Sequence, residues 1–186
     1  MTQNCAIISN PGAESRNGES ALMVDTIKKF YSDDKIEYIT FPGTMEGGDV
    51  MMVDNHFYIG LSTRTNREGC NQFIAALKKH GHTASVVSLS EMLHLKTGVN
   101  YLQNNVMLVT GEFIDKPEFA DYKKIVVPAK EAYAANCIWV NDKVIVPKGY
   151  PAVAKAVQDA GYEVLFVNTS EYRKLHGGLS CLSLRF

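Results

Sequence analysis

The sequence predicts an α/β fold assembled from a repeated strand, turn, strand, loop, helix, strand unit. Three observations support this prediction. Units of this kind recur about every 43 residues along the chain. Their strand pairs are joined by turns rich in Asn and Asp, and two of their helices stop at a glycine, as helix C-termini commonly do. Together, these features favour an array of similar modules over a single open sheet.

Three complete units are predicted in the middle of the chain. The first has strands 50–53, 57–61 and 84–89, an Asp54-Asn55 turn, and a helix with Phe73, Ile74 and Leu77 on one face. The second has strands 98–102, 106–110 and 125–127, a turn at 103–105, and a short helical piece at 117–122. The third has strands 137–140, 144–147 and 164–167, an Asn141-Asp142 turn, and a helix from Pro151 to Ala160.

The two ends of the chain are predicted to be partial units. The N-terminal part has a strand over 5–9, a helix from about 19 to 30 and a strand over 36–41. After Gly177-Gly178, the tail is predicted to be a strand that places Cys181, Ser183 and Arg185 on one face and Leu182, Leu184 and Phe186 on the other. We expect this tail to pair with strand 5–9, because arrayed modules protect their edges by closing a ring. Residues 1–186 would then form one partial α/β-propeller domain.

Composition narrows the class of function. The chain has 186 residues, 46% of them hydrophobic, which is enough for a substantial core. Its 19 Lys and Arg nearly balance its 20 Asp and Glu, so we expect a small molecule or another protein as the partner, and neither nucleic acid nor a membrane. No secretory leader or membrane-spanning run is recognisable, which predicts a cytoplasmic protein. The four cysteines, Cys5, Cys70, Cys137 and Cys181, have no metal-ligand spacing, so we expect free thiols and no metal site.

Chemically active side chains recur where the units begin. Glu46 with Gly47-Gly48-Asp49, His94, Asn136 with Cys137, and Cys181 after its glycine pair occupy comparable positions. Because equivalent positions of repeats face the same side, a carboxylate, an imidazole and a thiol are expected to converge. A cysteine hydrolase needs this set for attack, proton transfer and binding of a cationic substrate. Each residue alone also fits a structural role, since cysteine is among the most buried residue types.

Six segments together resemble the dimethylarginine dimethylaminohydrolases, or dimethylargininases, of the guanidino-modifying (amidinotransferase) superfamily. They lie in the family order along nearly the whole chain: Asn10 to Arg16, Glu46 to Asp49, Tyr58 to Asn66, His94 to Gly98, Ala134 to Asn141 and Gly177 to Cys181. The resemblance implies a pentein-type α/β propeller of five blades. It also implies hydrolysis of N-methylated arginine to citrulline and a methylamine, without a cofactor.

The resemblance also implies roles for individual residues. Cys181 matches the nucleophile, His94 the general acid and base, and Glu46 the carboxylate beside the guanidinium. The remaining matches concern substrate binding: Arg16 and Arg64 to the α-carboxylate, and backbone from Leu175 to Gly178 to the amino end. Lys96 stands where deiminases of free arginine tend to have an acidic residue, which favours a methylated substrate.

Compared with full-length family members, the chain is expected to lack the first blade. Open strand edges would follow, and these favour a homo-oligomer or a partner that covers them. Two alternatives therefore stay open beside the dimethylargininase. One is a truncated, non-catalytic remnant or half of an assembly; the other is an arginine deiminase-like enzyme.

Overall fold

Two compact units make up residues 1–183, the part of the chain that the structure, a computed structural model, describes. The first unit contains Met1–Leu89 and the second Ser90–Ser183. The expectation of one domain over residues 1–186, closed into a propeller, stays a prediction.

The first unit contains two small sheets and two helices. Its elements are β1 (Ala6–Ile8), α1 (Glu19–Ile27), β2 (Ile36–Tyr38), β3 (Val50–Val53), β4 (His56–Leu61), α2 (Arg67–Lys79) and β5 (Thr83–Ser88). β1 and β2 pair in parallel, and β4 lies between an antiparallel β3 and a parallel β5. The predicted order of elements is confirmed, although α1 ends at Ile27 rather than near residue 30.

The second unit repeats the three-stranded arrangement twice. Its elements are α3 (Leu95–Gly98), β6 (Val99–Tyr101), β7 (Val106–Val109), β8 (Lys123–Val126), β9 (Ile138–Val140), β10 (Lys143–Pro147), α4 (Pro151–Asp159), β11 (Glu163–Val167) and α5 (Ser170–Arg173). Each sheet has one antiparallel and one parallel pair around its middle strand, β7 or β10. The short helical piece predicted between β7 and β8 includes a one-turn 3-10 helix at Pro117–Phe119.

The predicted turns are confirmed by their backbone angles. Asp54, Asn141 and Asp142 have positive φ, and so do all three residues of the 103–105 turn. Asn and Asp tolerate this left-handed region better than most residues, which explains why they join the antiparallel strands.

Each unit has its own apolar core. In the first unit, α2 buries Phe73 and Leu77 against Phe57 and Ile59 of β4. In the second, α4 buries Val153 and Val157 in the cluster that contains Val144 and Val146 of β10. Because both helices pack on the middle strand of a sheet, the loops at the strand ends are held on a rigid base.

The structure corrects the predicted C-terminal strand where it describes it. Ser180–Leu182 form a one-turn 3-10 helix, and the amide of Cys181 donates to the carbonyl of Gly178 at 3.1 Å. The alternation of apolar and polar residues was misleading because this local hydrogen bond winds the backbone into a turn. The rest of the predicted strand, residues 184–186, and its pairing with strand 5–9 lie outside the described residues.

Apolar side chains are exposed on β11, an edge strand of its sheet. Leu165, Phe166 and Val167 are 44%, 55% and 40% exposed. The predicted oligomer or covering partner stays a prediction. Within residues 1–183, no helix has the length and apolar character required to cross a bilayer.

Candidate functional site

Glu46 is buried in the first unit and bonded to the N-terminal loop. One carboxylate oxygen accepts from the amide of Ala13 at 3.1 Å, and the other lies 3.2 Å from Nη1 of Arg16. Arg16 also bonds to the exposed Glu19 at 2.9 Å, and this bond and the nearby negative charges raise the pKa of Arg16. The structure thus brings together two predicted site residues, Arg16 and Glu46.

Asp49 anchors the turn that follows Glu46. It is 0% exposed, and its Oδ2 accepts from the hydroxyls of Ser62 and Thr65, both at 2.7 Å. The hydroxyl of Thr65 in turn accepts from the amide of Glu46 at 3.2 Å. The Glu46 turn and the loop after β4 are therefore tied together at three points.

Arg64 lies half-buried in the same loop after β4. A Cβ added to Gly12 would lie 2.2 Å from the carbonyl oxygen of Arg64, so only glycine permits this approach of the two backbones. The N-terminal loop, the Glu46 turn and the Arg64 loop accordingly form one connected set within the first unit.

His94 lies in the second unit, immediately before α3. It is half-buried, and its carbonyl accepts from the amide of Thr97 at 3.1 Å. The side chain of Asn100 donates to the carbonyls of Lys96 and Ala135, at 2.9 and 2.8 Å, and so joins α3 to the segment before Asn136. This fixes α3, the helix that directly follows His94.

Cys181 also belongs to the second unit, and its side chain is exposed. Oδ1 of the buried Asn136 accepts from the amide of Ser180 at 2.8 Å. A Cβ on Gly178 would lie 2.6 Å from Nδ2 of the same asparagine. Asn136 therefore holds the turn that presents the thiol, and Gly178 leaves it the room to do so.

The segment before this turn is held by aromatic side chains. The hydroxyl of Tyr133 donates to the carbonyl of Gly177 at 2.8 Å, and the guanidinium of Arg173 lies 5.0 Å from the centre of the Tyr133 ring. Leu175, by contrast, is 85% exposed. Of the two residues predicted to contact substrate here, Gly178 is buried and anchored and Leu175 is at the surface.

The other three thiols are buried. Burial raises the pKa of Cys70 to about 11 and that of Cys137 to about 12. A thiol must lose its proton to act as a nucleophile, so these two are poorly suited to that role. Among the described residues, no group of three or more His, Cys, Asp or Glu side chains could hold a metal ion.

One well-anchored residue was missed by the sequence analysis. The carboxylate of Glu112 accepts four hydrogen bonds from residues 90–92, just before His94. Three of the donors are backbone amides, which every sequence possesses, so no residue pattern could have indicated this contact.

Comparison with known proteins places the chain among guanidine-modifying enzymes. The family model for arginine deiminase matches residues 15–126. The chain is 56% identical to N(G),N(G)-dimethylarginine dimethylaminohydrolase from Pseudomonas aeruginosa, over all of this chain and 72% of the relative. It is 30% identical to the enzyme of the same name from Streptomyces coelicolor, over 98% of this chain and 69% of the relative.

Solved structures agree with this placement. A dimethylarginine dimethylaminohydrolase from Pseudomonas aeruginosa superposes with a TM-score of 0.97 at 55% identity, over all of this chain and 72% of the other. An amidinotransferase from Microseira wollei has a TM-score of 0.85 at 18% identity, covering 97% of this chain and 66% of the other, and shows the fold alone. These likenesses confirm the predicted pentein-type α/β fold, while the missing first blade stays a prediction.

Proposed function

Because the chain belongs to the dimethylarginine dimethylaminohydrolase family, we propose that it cleaves a guanidinium C–N bond of N-methylated arginine, giving citrulline and a methylamine. Family membership makes it a hydrolase of the dimethylargininase type. The proposal adds that Cys181 is the nucleophile and His94 the general acid and base.

One observation carries this assignment of residues. In one related structure a cysteine is replaced by serine and citrulline is bound; in another a histidine is replaced by glycine and S-methyl-L-thiocitrulline forms an adduct. The two replaced positions are separated by the same number of residues as His94 and Cys181. A cysteine and a histidine at this spacing in a chain of such high identity support the same two roles here.

The proposed reaction proceeds in two halves. The Cys181 thiolate forms an S–C bond to the guanidinium carbon, and the C–N bond to the methylated nitrogen breaks as His94 protonates the departing amine. Water then attacks the same carbon and gives a proton to His94. The S–C bond breaks, which releases citrulline and restores the thiolate.

The first unit is proposed to supply charge complementarity. Glu46 is buried and paired with Arg16, and its negative charge favours a cationic guanidinium. The guanidinium of Arg64 can donate two parallel hydrogen bonds to the substrate carboxylate. Arg16 is proposed to exchange its exposed partner Glu19 for that carboxylate, because an exposed ion pair stabilises little.

The second unit is proposed to hold the amino end of the substrate through backbone from Leu175 to Gly178. The bonds from Tyr133 to Gly177 and from Ser180 to Asn136 support this role, because they fix the backbone on both sides of Gly178. Leu175 is exposed, so the contact of its carbonyl with the substrate is the part of this proposal to test.

A second candidate is favoured by the match to the arginine deiminase family model. It would hydrolyse unsubstituted arginine to citrulline and ammonia through the same cysteine. Lys96, two residues after His94, opposes it, since a lysine offers no carboxylate to an unsubstituted guanidinium.

Citrulline release separates these candidates. We expect the purified chain to release citrulline from asymmetric dimethylarginine or monomethylarginine and not from arginine, and Cys181→Ser to abolish release. Cys70→Ala, at a buried thiol of the first unit, should retain activity. Equal release by wild type and Cys181→Ser would contradict the proposal, and a folded wild type that releases none would favour the non-catalytic remnant.

Alkylation provides a second, substrate-free measurement. Iodoacetamide near neutral pH should modify Cys181 well before Cys70 and Cys137, which are buried and have raised pKa values. Mass spectrometry of digested protein reports all three sites in one experiment. Equal rates at the three thiols would be evidence against an activated Cys181.

A further inference from the structure

The segment that leads into His94 has no regular structure of its own. Residues 90–94 form neither helix nor strand. Their amides therefore lack the ladder partners that fix a strand or helix, although buried amides require acceptors. The position of His94 consequently depends on what holds this segment.

Glu112 supplies the acceptors. Its Oε1 accepts from the amides of Glu91 and Met92, and its Oε2 from the amide and the hydroxyl of Ser90, all at 2.9 Å. The Glu112 side chain is only 7% exposed. Burial by itself would raise its pKa, but the amides of Met92, Glu91 and Ser90 lower it to about 2. The four bonds are thus charge-assisted at neutral pH, which roughly doubles their strength over neutral ones.

Glu112 is itself held by the sheet. It lies in a one-turn 3-10 helix, Gly111–Phe113, directly after β7, and Phe113 is fully buried. The preceding Thr110 donates its hydroxyl to the carbonyl of Val127 at 3.0 Å and its amide to the carbonyl of Gly98 at 2.9 Å. The carboxylate therefore extends from a fixed base.

Met92 anchors the same segment a second time. A Cβ on Gly98 would lie 2.4 Å from Sδ of Met92, and a Cβ on Gly111 would lie 2.6 Å from its Cε. Both glycines leave room for the methionine, and Gly98 ends α3, the helix that directly follows His94. Hydrogen bonds and packing together leave little freedom to Met92, two residues before His94.

We propose that Glu112 is a positioning residue for His94: by binding the backbone of residues 90–92, its carboxylate sets where the imidazole stands for proton transfer. This inference rests on the proposed function, in which His94 is the general acid and base. Glu112 itself does not touch the substrate in this proposal.

The test compares Glu112→Gln with wild type and with Glu37→Gln. The amide keeps the size of the side chain but turns one acceptor oxygen into a donor, which then faces donors of residues 90–92. Glu37 is the control, because its carboxylate is also hydrogen-bonded, to the side chains of Lys79 and His80, but in the first unit. The readouts are kcat and KM for dimethylarginine and the NMR signals of the His94 ring, assigned with His94→Gln.

We expect Glu112→Gln to lower kcat about 10- to 100-fold, because a displacement near 1 Å in a catalytic group has effects of this size. KM should change less than about threefold, since no substrate contact is lost. The His94 ring signals should shift, and Glu37→Gln should leave both readouts as in wild type.

Unchanged kcat and unchanged His94 signals in a folded Glu112→Gln would overturn the proposal. If wild type releases no citrulline, the proposed function fails, and the His94 signals alone decide the role of Glu112. If Glu112→Gln does not fold, Ser90→Ala takes its place, because it removes one of the four donors. It should then give a smaller shift of the same signals, and no shift would overturn the proposal.

Discussion

The turn that carries Glu46 and the segment that carries His94 each precede the first strand of a three-stranded sheet, β3 or β6. The hydrogen bonds that hold them are arranged in opposite ways. In the first unit the acceptor, Asp49, belongs to the turn, and the donors Ser62 and Thr65 lie in the loop after the second strand. In the second unit the acceptor, Glu112, lies in the loop after the second strand, and the donors belong to the segment before His94.

This difference shows that the repeat determines which two loops are in contact. It does not determine which residues form the hydrogen bonds between them. In both units a buried carboxylate bridges the same two loops, so the backbone path requires a bridge there. The bridge in the first unit uses side-chain hydroxyls, whereas that in the second uses mostly backbone amides. Substitution of donors can therefore break the first bridge, while the second depends almost wholly on Glu112.

The largest effect is expected from removing the bridge of the first unit. Asp49→Ala leaves the hydroxyls of Thr65 and Ser62 without their acceptor. The free energy of unfolding should fall by about 4 kcal/mol, because each hydrogen bond to a charged group contributes about 1.5–3 kcal/mol. Urea unfolding measures this. Asp25→Ala, at an exposed position of α1, is the control and should stay within about 0.5 kcal/mol of wild type. A loss below about 1 kcal/mol in Asp49→Ala would refute the importance of this bridge.

The stabilisation that Glu112 gives to the second unit should decrease at acid pH. The folded pKa of Glu112 is about 2, below its ordinary value of 4.5, so its stabilisation is present above about pH 5 and is lost as pH falls towards 2. The shift corresponds to about 3 kcal/mol at neutral pH. At pH 7 the free energy of unfolding of wild type should exceed that of Glu112→Gln by about this amount. The difference between the two should shrink towards zero near pH 2.

Urea unfolding at several pH values measures that difference. Glu163→Gln serves as the control because this exposed carboxylate pairs with Lys143 at the surface, where ion pairs contribute little. Its difference from wild type should stay within about 1 kcal/mol throughout. A difference between wild type and Glu112→Gln that is constant from pH 7 to pH 2 would mean that ionisation of Glu112 does not stabilise the fold.

The same contrast explains how much the sequence could predict. Helix α2 and strand β4 follow from the spacing of Phe73, Leu77, Phe57 and Ile59, because one face of each element is buried and burial imposes its period on the residues. Turns such as Asn141-Asp142 follow from residue types that tolerate positive φ. These features depend on local sequence, so local sequence reveals them.

The anchoring of the candidate site could not be predicted in this way. The alternation of residue types at Cys181 predicts a strand, and it gives no sign of the bond from Ser180 to Asn136 that holds the turn there, because this bond joins residues distant in sequence. The role of Glu112 left no pattern, because its partners are mainly amides. The assignments of Cys181 and His94 rested on a family resemblance, and their chemistry stays a prediction until citrulline release is measured.

The smallest effect is expected from the packing of Met92. Gly111 has φ +55°, and a Cβ there would also meet the flexible end of Met92. Gly161 has φ +93° with no neighbouring atom within 4 Å of such a Cβ, so Gly161→Ala isolates the backbone cost of about 1–2 kcal/mol. Gly111→Ala should lower the free energy of unfolding slightly more than Gly161→Ala, because Met92 must also shift. Of the two variants, Gly111→Ala alone should lower kcat, because Met92 belongs to the segment before His94. Equal stability losses with unchanged kcat in both variants would show that Met92 contributes nothing to positioning and that the carboxylate of Glu112 holds the segment alone.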